Sequence, residues 1–552
     1  MASTASRRGG ERARRSGLFP VPVALILLLP AARAAAGGFT APPPAPPLPP
    51  PSGTVVAVST VAQLQSAVAG LASNTTILIA PGDYPLTQEL RIRNGVTQVA
   101  LRGATGNRND VVIRGSGMAT PGVNIAVKCE NAQDVLIANL SVGQAFWHPI
   151  QLQGEQGCDR VRMYNIRVFD AGQQFIKSTV DFANPNGVDD SIVEYSVLEY
   201  TGPGTSHGYT EGIDVHHGAR WVIRYNLFRN IGVPAGAPDF NRPAVLMWSG
   251  SRDTICYRNT FIDCERGIIF GLGPQPGVAN SHSGGIICSN FIYRTRPTHA
   301  DAGISVWDSP GTKVLHNTVI QNGTYADAIE YRFASTTGVV VQNNLTDGNI
   351  RARDGAQATV AGNFTGATAA MFANPAVGDL HLLPSAASAI DQGVAMADCV
   401  EDWDGDIRPI GAAGDIGADE YDPGTPPTPF SFHTLTPCRV ADTRAPDGAY
   451  GGPALAAGSA RAFAVTGRCG VPAGAHAVAI NVTATQATAA GNLRLYAGGT
   501  SLPLTSALNY RPGATRANNA IVRLGTGGSV AVTCDQPAGT AHFILDVVGY
   551  FQ

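Results

Sequence analysis

The stretch N-T-F-I-D at residues 259–263 belongs to a set of similar segments that decides the fold. An asparagine before a short apolar run also occurs as N-L-F-R-N at 226, N-F-I-Y at 290 and N-T-V-I at 317. A repeat of about 20 to 33 residues with strand-like segments is typical of a β-helix, whose coils stack about 4.8 Å apart. Asparagines in one slot can then bond to each other along the stack. The slots are Asn139, Asn165, Ser196, Asn226, Asn259, Asn290, Asn317, Asn343 and Asn363.

Length and charge limit the possible classes of protein. The chain has 552 residues, which is enough for two or three domains. Its formal net charge is −3 and only 14% of its residues are charged, so no basic surface indicates a nucleic-acid partner. The 64 glycines and 38 prolines suit a chain built from strands and turns.

The N-terminal residues 1–36 are predicted to be a secretory signal peptide. Five arginines precede the apolar run Leu18 to Leu29, and Ala32-Arg33-Ala34 is a suitable cleavage site. A membrane anchor is the alternative, but prolines interrupt this run, which is shorter than the about 20 residues that a span needs. The protein is therefore expected to be secreted, extracellular or at the cell surface, with no membrane span after cleavage.

The rest of the sequence divides by composition. A Pro-rich linker covers 37–53, the repeats with a C-terminal cap cover 54–421, a second Pro-rich linker covers 422–429, and a β-sandwich-like module covers 430–552. The first linker is expected to be a stiff spacer outside any core. Residues 59–71 have helical spacing with Thr60 or Ser59 as N-cap, and this helix should cover the open end of the repeats.

Nine cysteines in an exported protein predict some disulfides and at least one free thiol. Cys438 and Cys469 bracket one loop of the last domain and are the favoured pair. Cys256, Cys264 and Cys288 are more typical of small core residues. No C-x-x-C or His-rich spacing indicates zinc.

Several motifs resemble a known family. I-L-I-A-P-G-D-Y-P-L (77–86) and L-R-G-A-T-G-N-R-N-D-V-V-I-R-G (101–115) resemble the entry into right-handed parallel β-helices of secreted bacterial polysaccharide lyases. D-G-D-I-R-P (404–409) and D-I-G-A-D-E-Y (415–421) are similar to the tail that closes many such solenoids. T-P-C-R-V-A-D-T-R (436–444) resembles a C-terminal module of secreted bacterial proteins.

The resemblance implies an all-β protein. Its expected parts are a pectin-lyase-like right-handed parallel β-helix, an N-terminal capping helix and a C-terminal β-sandwich-like domain. The family contains lyases, hydrolases, epimerases and non-catalytic surface proteins, and the fold does not decide among them. Neither the D-D and R-I-K signatures of polygalacturonase-like hydrolases nor the R-x-P-x-x-R pattern of pectate lyases occurs, so no catalytic residue is carried over by motif.

An internal alignment of the strands that precede the asparagine slots predicts one outward face. The shared Ile or Val of each strand points inward, so the next residue and the third point outward. The first outward column is Gln151, Lys177, Asp214, Leu246, Ile269, Ser305 and Glu330. The second is Gln153, Thr179, His216, Trp248, Gly271, Trp307 and Arg332.

This face is a candidate sugar-binding groove, because aromatic faces beside polar groups suit pyranose rings. The substrate-binding candidates are Asp214, Trp248, Trp307, Gln153, Glu330 and Arg332. Asp214 and Glu330 lie four coils apart, about 19 Å, so they cannot be the carboxylate pair of a glycosidase.

A lyase reading assigns further roles. β-Elimination needs a base for the proton beside a uronate carboxylate and a cation to neutralise that carboxylate. His216 is the favoured base, because a carboxylate beside Lys177 raises the lysine pKa. Lys177 or Arg220 would neutralise the carboxylate, and Tyr209 is a candidate proton donor. Asp214 and Glu211 could instead hold a calcium cofactor, because calcium is a hard ion that takes oxygen ligands.

Structural interpretations stand beside these roles. Lys177 and Asp214 also suit a simple cross-strand ion pair, and His216 an ordinary turn. The two tryptophans could be covered by long turns or by the C-terminal module. Three functions remain open: a lyase for an acidic extracellular polysaccharide, a non-catalytic glycan-binding or structural solenoid held at the cell envelope by the C-terminal module, and a glycoside hydrolase. Asp402, Asp404 and Asp406 indicate either a solvated turn or a calcium loop.

Convergence should separate the alternatives. If His207, Tyr209, Glu211, Asp214 and His216 meet a basic residue in a groove, an enzyme is favoured. If they scatter and the tryptophans are covered, binding or a structural role is favoured.

Overall fold

The computed structural model describes residues 43–183, 185–202, 209–232, 242–295, 299–423, 432–500, 502–503, 505–525 and 527–552. Within these residues the chain forms two compact units, one ending at Pro423 and the other running from 432 to Gln552. The predicted signal peptide lies outside the described residues, as do 424–429 of the predicted second linker.

The first unit is a right-handed parallel β-helix, as the sequence predicts, built from three parallel sheets that wind around one core. Twelve strands form the first sheet: Thr54–Val58, Thr75–Ile79, Val96–Gly103, Ala132–Ala138, Asp159–Tyr164, Ile192–Glu194, Val222–Arg224, Ile255–Tyr257, Ile286–Cys288, Lys313–Leu315, Val339–Gln342 and Ala358–Ala361. Ten form a second sheet: Gly82–Pro85, Val111–Arg114, Ser141–Ala145, Arg167–Ala171, Val197–Glu199, Leu227–Arg229, Thr260–Ile262, Phe291–Tyr293, Thr318–Ile320 and Leu345–Thr346.

The third sheet carries the candidate face and is called the site sheet below. Its ten strands are Leu90–Ile92, Ile125–Glu130, His148–Gln153, Gln174–Thr179, Glu211–His216, Pro243–Trp248, Arg266–Phe270, Ile304–Trp307, Asp327–Arg332 and Asn349–Arg353. A short parallel pair, Ser251–Arg252 with His282–Ser283, and a 3₁₀ turn at Gly154–Gln156 lie in the connecting turns.

Inward-facing aliphatic residues of the site sheet stack coil on coil. One such row is fully buried and runs in register through Ile176, Ile213, Val245, Ile268, Ile304 and Ile329. Burial of apolar area contributes about 25 cal/mol per Å², so repeating this row in each coil stabilises the stack. It also fixes which residues of each strand face outward.

The asparagine ladder is present, with one correction. Asn226, Asn259, Asn290 and Asn317 each donate from Nδ2 to the next member's Oδ1 at 2.9–3.0 Å. The next member is Asn344, whereas the sequence analysis named Asn343, which takes a left-handed backbone (φ 57°). The ladder then ends at Asn363.

The start of the repeat needs a second correction. Asn139 and Asn165 also have positive φ and so lie one position before the ladder, in the column of Tyr195. They bond to each other at 2.8 Å. The ladder itself is continued there by Ser196, whose backbone N–H donates to Asn226.

Replacing Asn259 by alanine should destabilise the β-helix unit. Its Nδ2 donates to the carbonyl of Ile223 at 2.9 Å, and its Oδ1 accepts from the backbone N–H of Asn226 at 3.0 Å. Both groups would be left buried without a partner, which costs about 1–3 kcal/mol. Denaturant unfolding measures this loss. Asn109→Ala, at an exposed loop position, is the control and should stay within about 0.5 kcal/mol of wild type; equal effects at both sites would contradict the ladder's role.

The N-terminal end of the core is covered by a helix, as predicted. The helix spans Val61–Ala69, and the side chain of Thr60 caps it by accepting from the N–H of Gln63 at 3.2 Å. Leu64 and Val68 point into the core and are buried, and the helix contacts the first strands of two sheets.

The described part of the first Pro-rich segment does not behave as a free spacer. Ala45 and Leu48 pack against a row of tyrosines that includes Tyr164 and Tyr195. Tyr164 donates its hydroxyl to the carbonyl of Pro46, and Arg102 donates to the carbonyl of Pro49 at 2.7 Å. A polyproline backbone has no internal hydrogen bonds, so its carbonyls are available to such donors.

The C-terminal tail of the first unit packs on its own apolar cluster, which includes Met371, Leu380, Trp403 and Ile416. Its elements are 3₁₀ turns at Ala369–Met371 and Pro375–Val377 and an antiparallel pair, Phe372–Asn374 with Asp379–Leu382. Asp402 is fully buried here: Oδ1 accepts from two backbone N–H groups at 2.7 Å and Oδ2 accepts from that of Glu420. This carboxylate therefore organises a buried turn rather than a solvated one.

The second unit contains two antiparallel sheets around one core. The first comprises Phe432–Asp442, Thr540–Phe551, Ala477–Thr485 and Arg516–Arg523, with Leu455–Ala456 at its side, and the second comprises Ala460–Ala464, Ser529–Asp535, Gly491–Ala497 and Leu508–Tyr510. The predicted disulfide Cys438–Cys469 is confirmed. Among the described residues, no helix is both long and apolar enough to cross a membrane.

Candidate functional site

The two outward columns of the site sheet have the register that the internal alignment predicts. Each column places side chains of successive coils beside one another, about 4.8 Å apart. The pairs that matter for the candidate site are Lys177 with Asp214, His216 with Trp248, and Trp307 with Arg332.

Lys177 lies at the centre of a cluster of polar side chains. Its ammonium forms an ion pair with Asp214 and lies 2.9 Å from Nε2 of His216. It also donates to the hydroxyl of Tyr209 at 3.2 Å. Lys177, Tyr209, Asp214 and His216 are therefore brought together around one cation, and the cluster is called the Lys177 cluster below.

Asp214 anchors this cluster from beneath. It is 0% exposed, its Oδ1 accepts from the indole N–H of Trp248 at 2.8 Å, and the same oxygen lies 3.5 Å from Nε2 of His216. Burial acts to raise its pKa, but the ammonium of Lys177 outweighs burial and holds the pKa well below its usual range. The ionised carboxylate therefore contacts Lys177, Trp248 and His216 from a position that is closed to solvent.

Lys177 is kept protonated by the same neighbours. Burial acts to lower its pKa, but the charge of Asp214 and the oxygens of Tyr209 and Glu211 outweigh burial and raise the pKa. A lysine that stays charged is a suitable partner for an anion and an unsuitable base. Burial also raises the pKa of Tyr209, so its phenol retains the proton.

Glu211 adds a neutral acid to the cluster. It is almost fully buried, accepts from the amide of Gln174 at 2.9 Å and lies 3.8 Å from the guanidinium of Arg242. Burial and the neighbouring Asp214 raise its pKa to about 8, so at neutral pH it is mainly protonated.

Gln174 and Arg242 were missed by the sequence analysis. Gln174 is in register with Glu211 and lies two residues before the inward-facing Ile176, so strand alternation assigns it to the core rather than to the outward face. Arg242 precedes the strand Pro243–Trp248, and its guanidinium carbon lies 5.4 Å from the centre of the Tyr209 ring. No periodic signal marks that approach.

Much of the outward face is buried, and exposed aromatic side chains lie beside the Lys177 cluster. Leu246 and Ile269, which face outward in the first column, are at most 1% exposed. By contrast Tyr209 is 39% exposed and Phe182 is 65% exposed, with the Phe182 ring 5.9 Å from that of His216. Lys177 and His216 are 7% and 9% exposed, so these two aromatic rings provide most of the accessible surface at the cluster.

Other predicted substrate-binding residues form a separate group farther along the sheet. Trp307 is only 8% exposed and donates its indole N–H to Oε1 of the fully buried Glu330 at 2.8 Å. Arg353 donates to the other oxygen of Glu330 at 2.7 Å, and the guanidinium carbons of Arg266 and Arg332 lie 5.1 and 5.3 Å from the Trp307 ring centre. This group resembles the pairing of Trp248 with Asp214 but offers little accessible surface.

The remaining predicted residues lie apart. Arg220 donates to Asp190 at 2.6 Å and to Asp189 at 3.1 Å, outside the Lys177 cluster. Gln153 is half-buried on an earlier coil. His207 lies outside the described residues.

The cluster as arranged does not suit calcium. The two oxygens of Asp214 already accept from the Lys177 ammonium and the Trp248 indole, and Glu211 is mainly protonated. A calcium ion takes about six to eight oxygen ligands, and at this position it would lie beside the ammonium of Lys177. We therefore assign calcium no role at this cluster.

A second group of metal-type ligands lies in the C-terminal tail. His381, Asp404 and Asp419 place ligand atoms within 4.8 Å of one another. Nδ1 of His381 contacts Asp379 at 2.5 Å and Nε2 lies 3.0 Å from Asp404. Burial acts to lower the His381 pKa, but these carboxylates outweigh burial and raise it, so an imidazolium accounts for the charge balance.

Glu211 should make a contribution to the stability of the β-helix unit that falls as pH rises toward about 8. The Glu211 pKa is raised in the folded state, from 4.5 to about 8, so the folded chain binds an extra proton between these values. This contribution is fully present below pH 4.5 and is lost as pH rises through about 8, with a slope of at most about 1.4 kcal/mol per pH unit. Denaturant unfolding as a function of pH measures the slope.

Glu211→Gln tests the origin of this slope, because the amide keeps the shape and does not titrate. The free energy of unfolding of the variant should increase relative to that of wild type as pH rises over that range. Glu155→Gln, at a half-buried glutamate in the same part of the β-helix, is the control and should leave the slope unchanged. Equal slopes in wild type and Glu211→Gln would show that the proton is bound elsewhere.

No protein-family model matches the chain, and neither does any curated protein sequence. Solved structures similar to it include an alginate lyase from Paenibacillus sp. str. FPU-7, with 13% identity over 52% of this chain and 97% of that one, at a TM-score of 0.34. A surface adhesin of Streptococcus pneumoniae, PfbA, has 11% identity over 55% of this chain and 87% of that one, at a TM-score of 0.33. A tailspike protein of E. coli bacteriophage HK620, solved with a pentasaccharide, has 11% identity over 91% of this chain and 86% of that one, at a TM-score of 0.40. Likenesses this distant leave the function of this chain to the side chains of its candidate site.

Proposed function

We propose that this protein binds an acidic polysaccharide at the Lys177 cluster and cleaves it by β-elimination. The observation that carries the proposal is the convergence of Lys177, Tyr209 and His216 within hydrogen-bond distance on the outward face of the site sheet. These are a cation, a proton donor and a candidate base, which are the groups that elimination beside a uronate carboxylate requires.

The charge of the cluster favours an anionic ligand. Lys177 and Arg242 contribute two cations, whereas Asp214 contributes one anion and Glu211 is mainly neutral below about pH 8. The site therefore carries a net positive charge that a uronate carboxylate would neutralise. In this partly buried setting such a contact is stronger than in water.

The roles of the three groups follow from their contacts. Without a ligand, the ammonium of Lys177 donates a hydrogen bond to Nε2 of His216. A uronate carboxylate that binds Lys177 would compete for the ammonium protons and release Nε2, which then removes the proton beside the carboxylate. Tyr209 keeps its proton and donates it to the leaving glycosidic oxygen. Asp214 holds Lys177 and Trp248 in place and does not contact the sugar.

Non-catalytic glycan binding is the second candidate function. It is favoured by three exposed aromatic side chains of the β-helix unit, Tyr209 at 39%, Phe182 at 65% and Trp147 at 39%, which suit sugar C–H faces. The predicted signal peptide would put either activity outside the cell or at its surface, where such polysaccharides occur.

The test is an assay of the purified protein with polymers of galacturonate, mannuronate, guluronate and glucuronate, and with a neutral glucan as control. β-Elimination creates an unsaturated uronate, so ultraviolet absorbance should rise with at least one acidic polymer. New reducing ends without absorbance would indicate hydrolysis, and binding without cleavage would favour the second candidate. Failure to bind or cleave any acidic polymer would overturn the proposal.

A further inference from the structure

Two buried cysteines of adjacent coils lie in direct contact. The sulfurs of Cys129 and Cys158 are 2.7 Å apart, and both residues are at most 1% exposed. Cys129 belongs to the strand Ile125–Glu130, and Cys158 follows the next strand of the site sheet after one 3₁₀ turn. The separation is only about 0.7 Å longer than a sulfur–sulfur bond.

We infer that Cys129 and Cys158 form a disulfide in the exported protein, independently of the proposed function. The two sulfurs are already much closer than sulfur atoms in ordinary contact, and a bond of about 2.03–2.05 Å would shorten their separation only slightly. Thiols held this close gain a covalent bond with only a small movement of either side chain. The bond would covalently link the two coils that precede the coil of Lys177.

The chemistry needs an oxidant, and the oxidant is a disulfide of an exchange partner in the oxidising compartment. One cysteine, as its thiolate, attacks that disulfide and forms a mixed disulfide while one partner thiolate leaves. The second cysteine thiolate then displaces the remaining partner thiolate. In sum the two cysteines lose two protons and two electrons, and the partner disulfide is reduced to two thiols.

Burial decides when the exchange occurs. Neither sulfur is accessible in the folded chain, so the bond should form before the coils close and then resist reductant in the native state. Cys534 provides a contrast within the same chain, because its sulfur contacts the hydroxyl of Tyr510 at 3.4 Å. It is expected to remain a thiol.

A peptide experiment tests the bond directly. Trypsin cleaves after Lys128 and Arg160 with no site between them, so both cysteines fall in one peptide, which chymotrypsin then cuts at Phe146 and Trp147. The full chain, produced by export to an oxidising compartment, is unfolded and alkylated without reduction. The two halves should stay joined and unalkylated until reductant is added, while Cys534 is alkylated. Alkylation of Cys129 and Cys158, or a bond from either to another cysteine, would overturn the inference.

Thermal unfolding provides a second readout that separates the bond from packing. Without reductant, Cys129→Ala should unfold about 5 °C or more below wild type, and with reductant present throughout the difference should shrink. Cys256→Ala removes the same atoms from the same core and is the matched control. Its difference from wild type should be unchanged by reductant. An equal difference for Cys129→Ala with and without reductant would mean that packing alone is lost.

Discussion

Lys177→Met is expected to lower the free energy of unfolding of the β-helix unit by about 3–5 kcal/mol. The substitution keeps the length of the side chain and removes its charge. Asp214 would then remain fully buried with the indole N–H of Trp248 as its main donor, and an uncompensated buried carboxylate is strongly destabilising. Denaturant unfolding followed by circular dichroism measures the change.

A second substitution separates charge from packing. If the cost arises from the unpaired carboxylate, Lys177→Met combined with Asp214→Leu should recover most of the lost stability, because an apolar pair of similar volume can replace a buried ion pair. Lys128→Met is the matched control. It lies in the same outward column, and its partner Glu130 keeps an ion pair with Arg91, so its cost should be below about 1 kcal/mol. A double variant as unstable as the single one would contradict the ion-pair account.

His216→Gln is expected to reduce kcat/KM for elimination about 10²–10⁴-fold while the chain stays folded. Glutamine can still bond to Lys177 but cannot accept the proton that the proposed mechanism transfers to Nε2. The initial rate of rise in ultraviolet absorbance, with the acidic polymer that wild type cleaves best, measures this loss. Circular dichroism and unfolding of the same sample establish that the fold is retained.

His217→Gln is the matched control for this prediction. His217 is the next residue in the chain, but its Nδ1 lies 3.1 Å from the carbonyl of Ser249, away from the contacts of the Lys177 cluster. Activity close to wild type is expected. If His217→Gln lost as much activity as His216→Gln, or if His216→Gln kept full activity, the base assigned here would be wrong.

The predicted register of the outward columns is confirmed where strand periodicity alone decides position. A two-residue alternation within each strand and one coil step between strands place Lys177 beside Asp214 and His216 beside Trp248. The prediction of the ladder failed where one residue of local geometry matters. Asn343 and Asn344 are both suitable by type, but the left-handed backbone at residue 343 moves the ladder to Asn344.

The sequence also did not predict the contacts that residues in turns make. Arg242 reaches the Tyr209 ring from a segment before its strand, and Arg220 turns to Asp189 and Asp190 instead of the site. The same holds for burial. Ile269 faces outward by periodicity, yet it is fully buried because other parts of the chain cover the face.

The sequence by itself determined the coil, its capping helix, the parity of each strand and therefore the two outward columns, because hydrophobic periodicity and capping act over a few residues. Only the tertiary structure decided that Asp214 is fully buried and that Glu211 is held as a neutral acid. It also decided that Tyr209 contacts Lys177 and that Arg242 lies against the Tyr209 ring. These features depend on burial and on contacts between residues distant in the chain, which no local pattern encodes.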